Sequence, residues 1–162
     1  MALGETISRV LARNVGEHKR LVEESSAFDK SMIEKDLESL FIRARSTVMV
    51  MQRDLLEHFK MEEELFFPAA VMGANDMAVT RMVLQLQRDH ANLEHELRHL
   101  TGSLNKETLN TEFVSKEELG LFRDFMRQLQ AHSRIELEKL FPVLQENKNC
   151  QALLRKLHSP QG

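Results

Sequence analysis

His58-Phe-Lys-Met-Glu62-Glu-Glu-Leu-Phe-Phe67-Pro68 returns 74 residues later as His132-Ser-Arg-Ile-Glu136-Leu-Glu-Lys-Leu-Phe141-Pro142. His, Glu, Phe and Pro recur at identical spacing. A weaker echo, offset by 72 residues, links Glu17-His18-Lys-Arg-Leu21 to Asp89-His90-Ala-Asn-Leu93. Each half of the chain therefore carries one segment with a single His and one with His-x-x-x-Glu. A repeat kept only for packing would preserve apolar positions and has no reason to preserve His and Glu.

The surrounding periodicity is helical. A first helix is expected from about Glu5 to Ala27, with Ile7, Leu11, Val15, Leu21 and Val22 on one stripe. A second begins near Ser31, which with Glu34 reads as a capping box, turns Leu37, Leu40, Ala44, Met51, Leu55 and Leu65 inward, and ends around Pro68 or a little later. A third starts near Asn75 or Asp76, buries Val79, Val83, Leu86, Leu93, Leu97 and Leu100, and stops at Gly102. Residues 101–114 form the longest connection. Ser115 with Glu118 opens a fourth helix, which carries Leu121, Phe125, Leu129 and Ile135 and runs to about Gln145. A short amphipathic tail, Ala152 to Leu157, packs across one end. Short links between most neighbours imply an all-α, antiparallel, up-down-up-down four-helix bundle with a short C-terminal helix. Residues 1–162 are expected to form one domain.

Composition narrows the function. The chain is 42% hydrophobic and 29% charged, with a net charge of −3 and both signs interspersed, so nothing asks for nucleic acid or an anionic membrane. No apolar run spans a bilayer and no basic-then-apolar leader opens the chain. With a lone Cys150, the expected compartment is the reducing cytoplasm. One cysteine cannot build a thiolate metal site, so any metal must be held by nitrogen and oxygen. Without Tyr or Trp, no tyrosyl radical can form. No phosphate-binding glycine loop or Ser-His-Asp order appears.

The repeated residues fit a metal. Residues i and i+4 of a helix share a face, so His58 with Glu62, and His132 with Glu136, can reach one point. His18 and His90 each lie at the centre of an apolar stripe and are thereby aimed at the core. Burying four histidines and two carboxylates is costly unless they are paired or metal-bound. A dinuclear iron site resolves that cost: carboxylates bridge two metals and imidazoles complete each coordination sphere. Any one buried histidine is ordinarily a hydrogen-bonded core residue, but six such groups in register across four helices are not. His95 and His99 point away from the His90 face, and His158 lies in the tail, so none of the three is expected to ligate.

From His18 to Pro142 the sequence resembles the hemerythrin-like HHE cation-binding family. The resemblance implies a four-helix bundle around two non-haem irons per chain, with oxo- or hydroxo- and carboxylate bridges. It implies that Glu62 and Glu136 bridge, that His18 and His58 serve one iron, and that His90 and His132 serve the other. Oxygen-carrying hemerythrins have His-x-x-x-His on the third helix and His-x-x-x-x-Asp on the fourth; here these read His90-x-x-x-Glu94 and His132-x-x-x-Glu136. Glu94 is accordingly expected as a seventh ligand. The pattern is closer to the hemerythrin-like domains of iron-centre repair proteins, nitric-oxide-responsive proteins of denitrifiers and a eukaryotic iron-sensing F-box protein. The expected function is binding of, or reaction with, a small gaseous or peroxide ligand (O2, NO or peroxide) in stress or oxygen sensing. Iron handling or repair, or an iron-dependent sensor module without catalysis, stand as alternatives.

Overall fold

The computed structural model describes residues 9–21, 23, 37–106 and 116–158. The Ser31 capping box, and Ser115 of the second one, lie outside them. Among the described residues there is no strand. Helix α1 covers 9–21. Helix α2, Leu37–Met61, passes through a five-residue π-helical turn, Glu62–Phe66, into α3, Phe67–Ala74. Helix α4 is Met77–Lys106. Helix α5, Lys116–Ile135, passes through a second π turn, Glu136–Leu140, into α6, Phe141–Glu146, and α7 is Lys148–His158.

The core orders the helices. One apolar cluster joins Leu21 to Ala44, Val48 and Leu55 of α2, Leu93, Leu97 and Leu100 of α4, and Leu119, Phe122 and Leu129 of α5. The other joins Leu11 to Phe66, Phe67 and Ala70, Val83 and Leu86, and Leu140, Phe141 and Leu144. Residue numbers thus run from the second cluster to the first along α1 and α4, and from the first to the second along α2–α3 and α5–α6. The helices alternate in direction, as the up-down-up-down reading requires. Between the clusters lies a polar layer in which His18, His58, Glu62, His90, His132, Ser133 and Glu136 are all buried.

The connection after α3 is two residues long. Asn75 adopts the left-handed conformation (φ 48°), and Asp76 Oδ1 accepts the backbone N–H groups of Ala78 and Val79 at 2.7 and 3.2 Å, capping α4. Gly102 does not stop that helix, which continues to Lys106; a lone glycine weakens a helix without ending it. Leu121 is 48% exposed rather than inward, and Phe122 takes its place in the core. The tail forms an eleven-residue helix that buries Cys150 and Leu154. It lies across α3 so closely that a Cβ on Gly73 would come within 2.6 Å of the Cys150 backbone.

The π turns explain the repeated Phe-Pro. Each begins at the Glu of His-x-x-x-Glu, with the N–H of Phe67 donating to the Glu62 carbonyl and that of Phe141 to the Glu136 carbonyl. Continuing the π turn would need the next residue's N–H to donate five residues back as well. In both halves the residue after that last bond is proline, which has no N–H to donate, so the i→i+5 run ends there.

Candidate metal centre

Four helices each deliver an imidazole to one point, and two of them add a carboxylate. His18 Nε2 lies 2.6 Å from Glu136 Oε2 and 3.4 Å from Glu62 Oε2. His58 Nε2 lies 3.0 Å from Glu62 Oε1 and 2.9 Å from His18 Nε2. His90 Nε2 lies 3.6 Å from Glu62 Oε1 and 3.5 Å from Glu136 Oε1, and His132 Nε2 contacts Glu136 Oε1. The donors fall into two groups, His18, His58, Glu62 and Glu136, and Glu62, His90, His132 and Glu136, each with its ligand atoms within 4.8 Å of one another. Both carboxylates belong to both groups.

The six side chains fit a metal better than they fit one another. All four carboxylate oxygens, and Nε2 of His90 and His132, are buried with no hydrogen bond of proper direction. Buried polar atoms are rarely left so, and six in one place mark a missing partner. The other ring nitrogens are all engaged. His58 Nδ1 donates to Glu17 Oε2 at 2.7 Å, His90 Nδ1 to Glu63 Oε1 at 3.0 Å and His132 Nδ1 to Asp89 Oδ2 at 3.3 Å, while His18 Nδ1 is hydrogen bonded to Ser133 Oγ at 2.8 Å. A proton held on Nδ1 leaves the Nε2 lone pair facing inward, which is the tautomer a metal needs. Phe59 stacks on His90 with centroids 3.9 Å apart, and Phe141 packs beside His18 at 5.7 Å.

Electrostatics in the metal-free protein say the same. Burial alone would push the imidazolium groups down, yet the close approach of the Glu136 and Glu62 carboxylates outweighs it and raises His18 and His90 to about 9. For His58 the charge of Glu62 and the bonds to Glu17 and Glu62 raise it to about 10. Glu136 is driven the other way: against burial, its close contacts with Glu62, His132, His18 and His90 hold it well below the carboxylate range. The pocket is built around positive charge, and protons supply that charge when nothing else does.

A family model for the hemerythrin HHE cation-binding domain matches residues 11–144. The chain belongs to that family. No curated protein and no solved structure gives a significant match. The hemerythrin bundle and its buried His/Glu cluster make this a metal-binding protein, with iron the metal the family suggests. No described helix is long and apolar enough to cross a membrane.

Of the seven residues singled out in the sequence, the hemerythrin fold gathers six. Glu94 is not among them: its carboxylate is partly exposed and takes a 2.6 Å bond from Arg98, one turn further along α4. The inward face of α4 passes from the fully buried Leu86 through His90 to the buried Leu93 and Leu97, and Glu94 lies beside it. His95 and His99 are exposed. The outer hydrogen-bond partners escaped the sequence reading, although a signal was present. Glu17 and Asp89 stand at matching places in the weaker repeat, each just before a histidine. Each serves not its neighbour but the His-x-x-x-Glu histidine of the adjacent helix, a pairing that needs the packed bundle to appear.

Proposed function

We propose that the chain holds two irons, with His18 and His58 on one, His90 and His132 on the other, and Glu62 and Glu136 bridging, and that this centre binds or reacts with a small oxidant or gas: O2, NO or peroxide. The observation that carries the reading is the sharing of both carboxylates between two otherwise separate groups of donors. Two imidazoles and two carboxylate oxygens give each position four protein donors, fewer than the six that iron commonly takes in such carboxylate-histidine sites. Such a centre supplies electrons and open coordination positions for a small ligand. The chain's own residues do the rest. Glu17, Asp89, Glu63 and Ser133 fix the imidazole orientations. Phe59, Phe66, Phe67 and Phe141 wall the site in apolar rings that keep bulk water away. The residues carry no covalent step of their own.

Iron handling is the second reading, and one feature favours it. A cleft of about 590 Å³ between α1 and α2, lined by Arg13, Glu17, Arg20, Asp54 and Glu57, reaches His58 from the surface. Anionic groups along a path to a ligand suit the passage of a cation. Iron per chain, and the absorption spectrum before and after addition of NO, O2 and peroxide, test the first reading. About two irons per chain with a spectrum that responds to one of these ligands is expected. A centre that responds to none, yet surrenders its iron to a chelator within minutes, would replace the first reading with the second.

A further inference from the structure

Among the described residues, Asn14 is the one buried polar side chain that the proposed ligand set and its hydrogen bonds do not use. It is completely buried, and neither its Oδ1 nor its Nδ2 has a hydrogen-bond partner. A primary amide so placed leaves up to four hydrogen bonds unmade. The loss of solvation costs more than a core position normally tolerates. The other half of the repeat solves the same position differently. Asn14 stands to His18 as Leu86 stands to His90, each one helical turn earlier, and Leu86 is likewise completely buried. Shape does not demand an amide there, since leucine fills the matching place.

Its position points to a use. Side chains of a helix lean toward its N-terminus, so whatever His18 Nε2 holds lies over the turn that Asn14 occupies. On α4 the residue four places after the histidine, Glu94, is partly exposed, whereas on both α1 and α4 the residue four places before it, Asn14 and Leu86, is fully buried. We propose that Asn14 is a ligand-recognition residue: its amide hydrogen-bonds a small anion or diatomic molecule bound at the His18/His58 position, and the His90/His132 position, with Leu86, has no such partner. This rests on the two-metal reading given above. It makes the two positions unlike without a seventh protein ligand, and it directs a polar small molecule to one of them.

Azide, a small anion with acceptor atoms at both ends, is a suitable probe on the iron-loaded protein. Asn14→Leu copies the residue of the other half and should keep full iron content. Its metal-free form should melt at a higher temperature than wild type, because the unsatisfied amide is gone. Its azide dissociation constant should rise by about tenfold or more, the scale of one hydrogen bond to a charged partner. Asn14→Asp, nearly the same shape, should also keep both irons and weaken azide through repulsion. Full iron with an unchanged azide constant in both variants would overturn the assignment of Asn14 and leave the two-metal centre standing. A wild-type protein that takes up no iron would overturn the centre itself.

Discussion

Glu62 and Glu136 each offer an oxygen to both groups of donors, so removing either injures two positions at once. Glu62→Ala or Glu136→Ala should drop iron from about two per chain to about one or less; elemental analysis of the purified variants checks this. Glu94→Gln should leave iron content and spectrum unchanged, because its carboxylate is already occupied by Arg98. An altered spectrum in that variant would restore Glu94 to the ligand set. The outer carboxylates are a separate matter. Asp89→Asn and Glu17→Gln keep size but give up the charge that orients His132 and His58. Each should weaken iron binding by about 10- to 100-fold without unfolding the chain, measured by competition with a chelator. The six clustered side chains were legible because the repeat preserved their identities. Glu94 misled because a helix offers two neighbours one turn away, before and after. Only the packed bundle decides which of them faces inward.

Helix identity was legible from apolar spacing, and so was the antiparallel order, since short links between most neighbours and matching core stripes leave few alternatives. The π turns were not. Their signature, Phe-Pro five and six residues after Glu, was visible as a repeat, but its meaning lies in backbone bonding that periodicity does not encode. Nor did the sequence reveal how tightly α7 seats on α3. With no side chain at 73, the backbone of Cys150 approaches α3 directly. Gly73→Ala would place a carbon inside that contact, and neither backbone can yield cheaply. The expected cost is about 1–3 kcal/mol. The melting temperature should fall by several degrees, and hydrogen exchange should rise first in residues 148–158. Uniform exchange across the bundle would show instead that α7 and the rest open as one unit.

The bundle as a whole is stabilised differently with and without metal. In the metal-free protein His18, His58 and His90 hold their protons up to about 9 or 10, against an ordinary 6.5. Their contribution is therefore complete below pH 6.5 and is lost as pH rises through 9 to 10. Glu136, held below its ordinary 4.5, contributes above that value and loses its contribution as pH falls through its lowered value. The metal-free melting temperature should decline from pH 7 to pH 10. The iron-loaded protein, whose imidazoles have already given up those protons, should show no such decline and should release its metal on acidification instead. Calorimetry of both forms at four or five pH values separates the two curves; parallel curves would mean that the histidines are packed rather than ligating. The two π turns sit at the same place in both halves, each closed by proline, so the backbone around the centre is close to symmetric. The side chains at matching positions are not. His18 has the buried Asn14 one turn before it and Ser133 on its Nδ1, where His90 has the buried Leu86 and Glu63. A near-symmetric backbone thus presents two chemically distinct groups of donors, and a small ligand need not treat them alike.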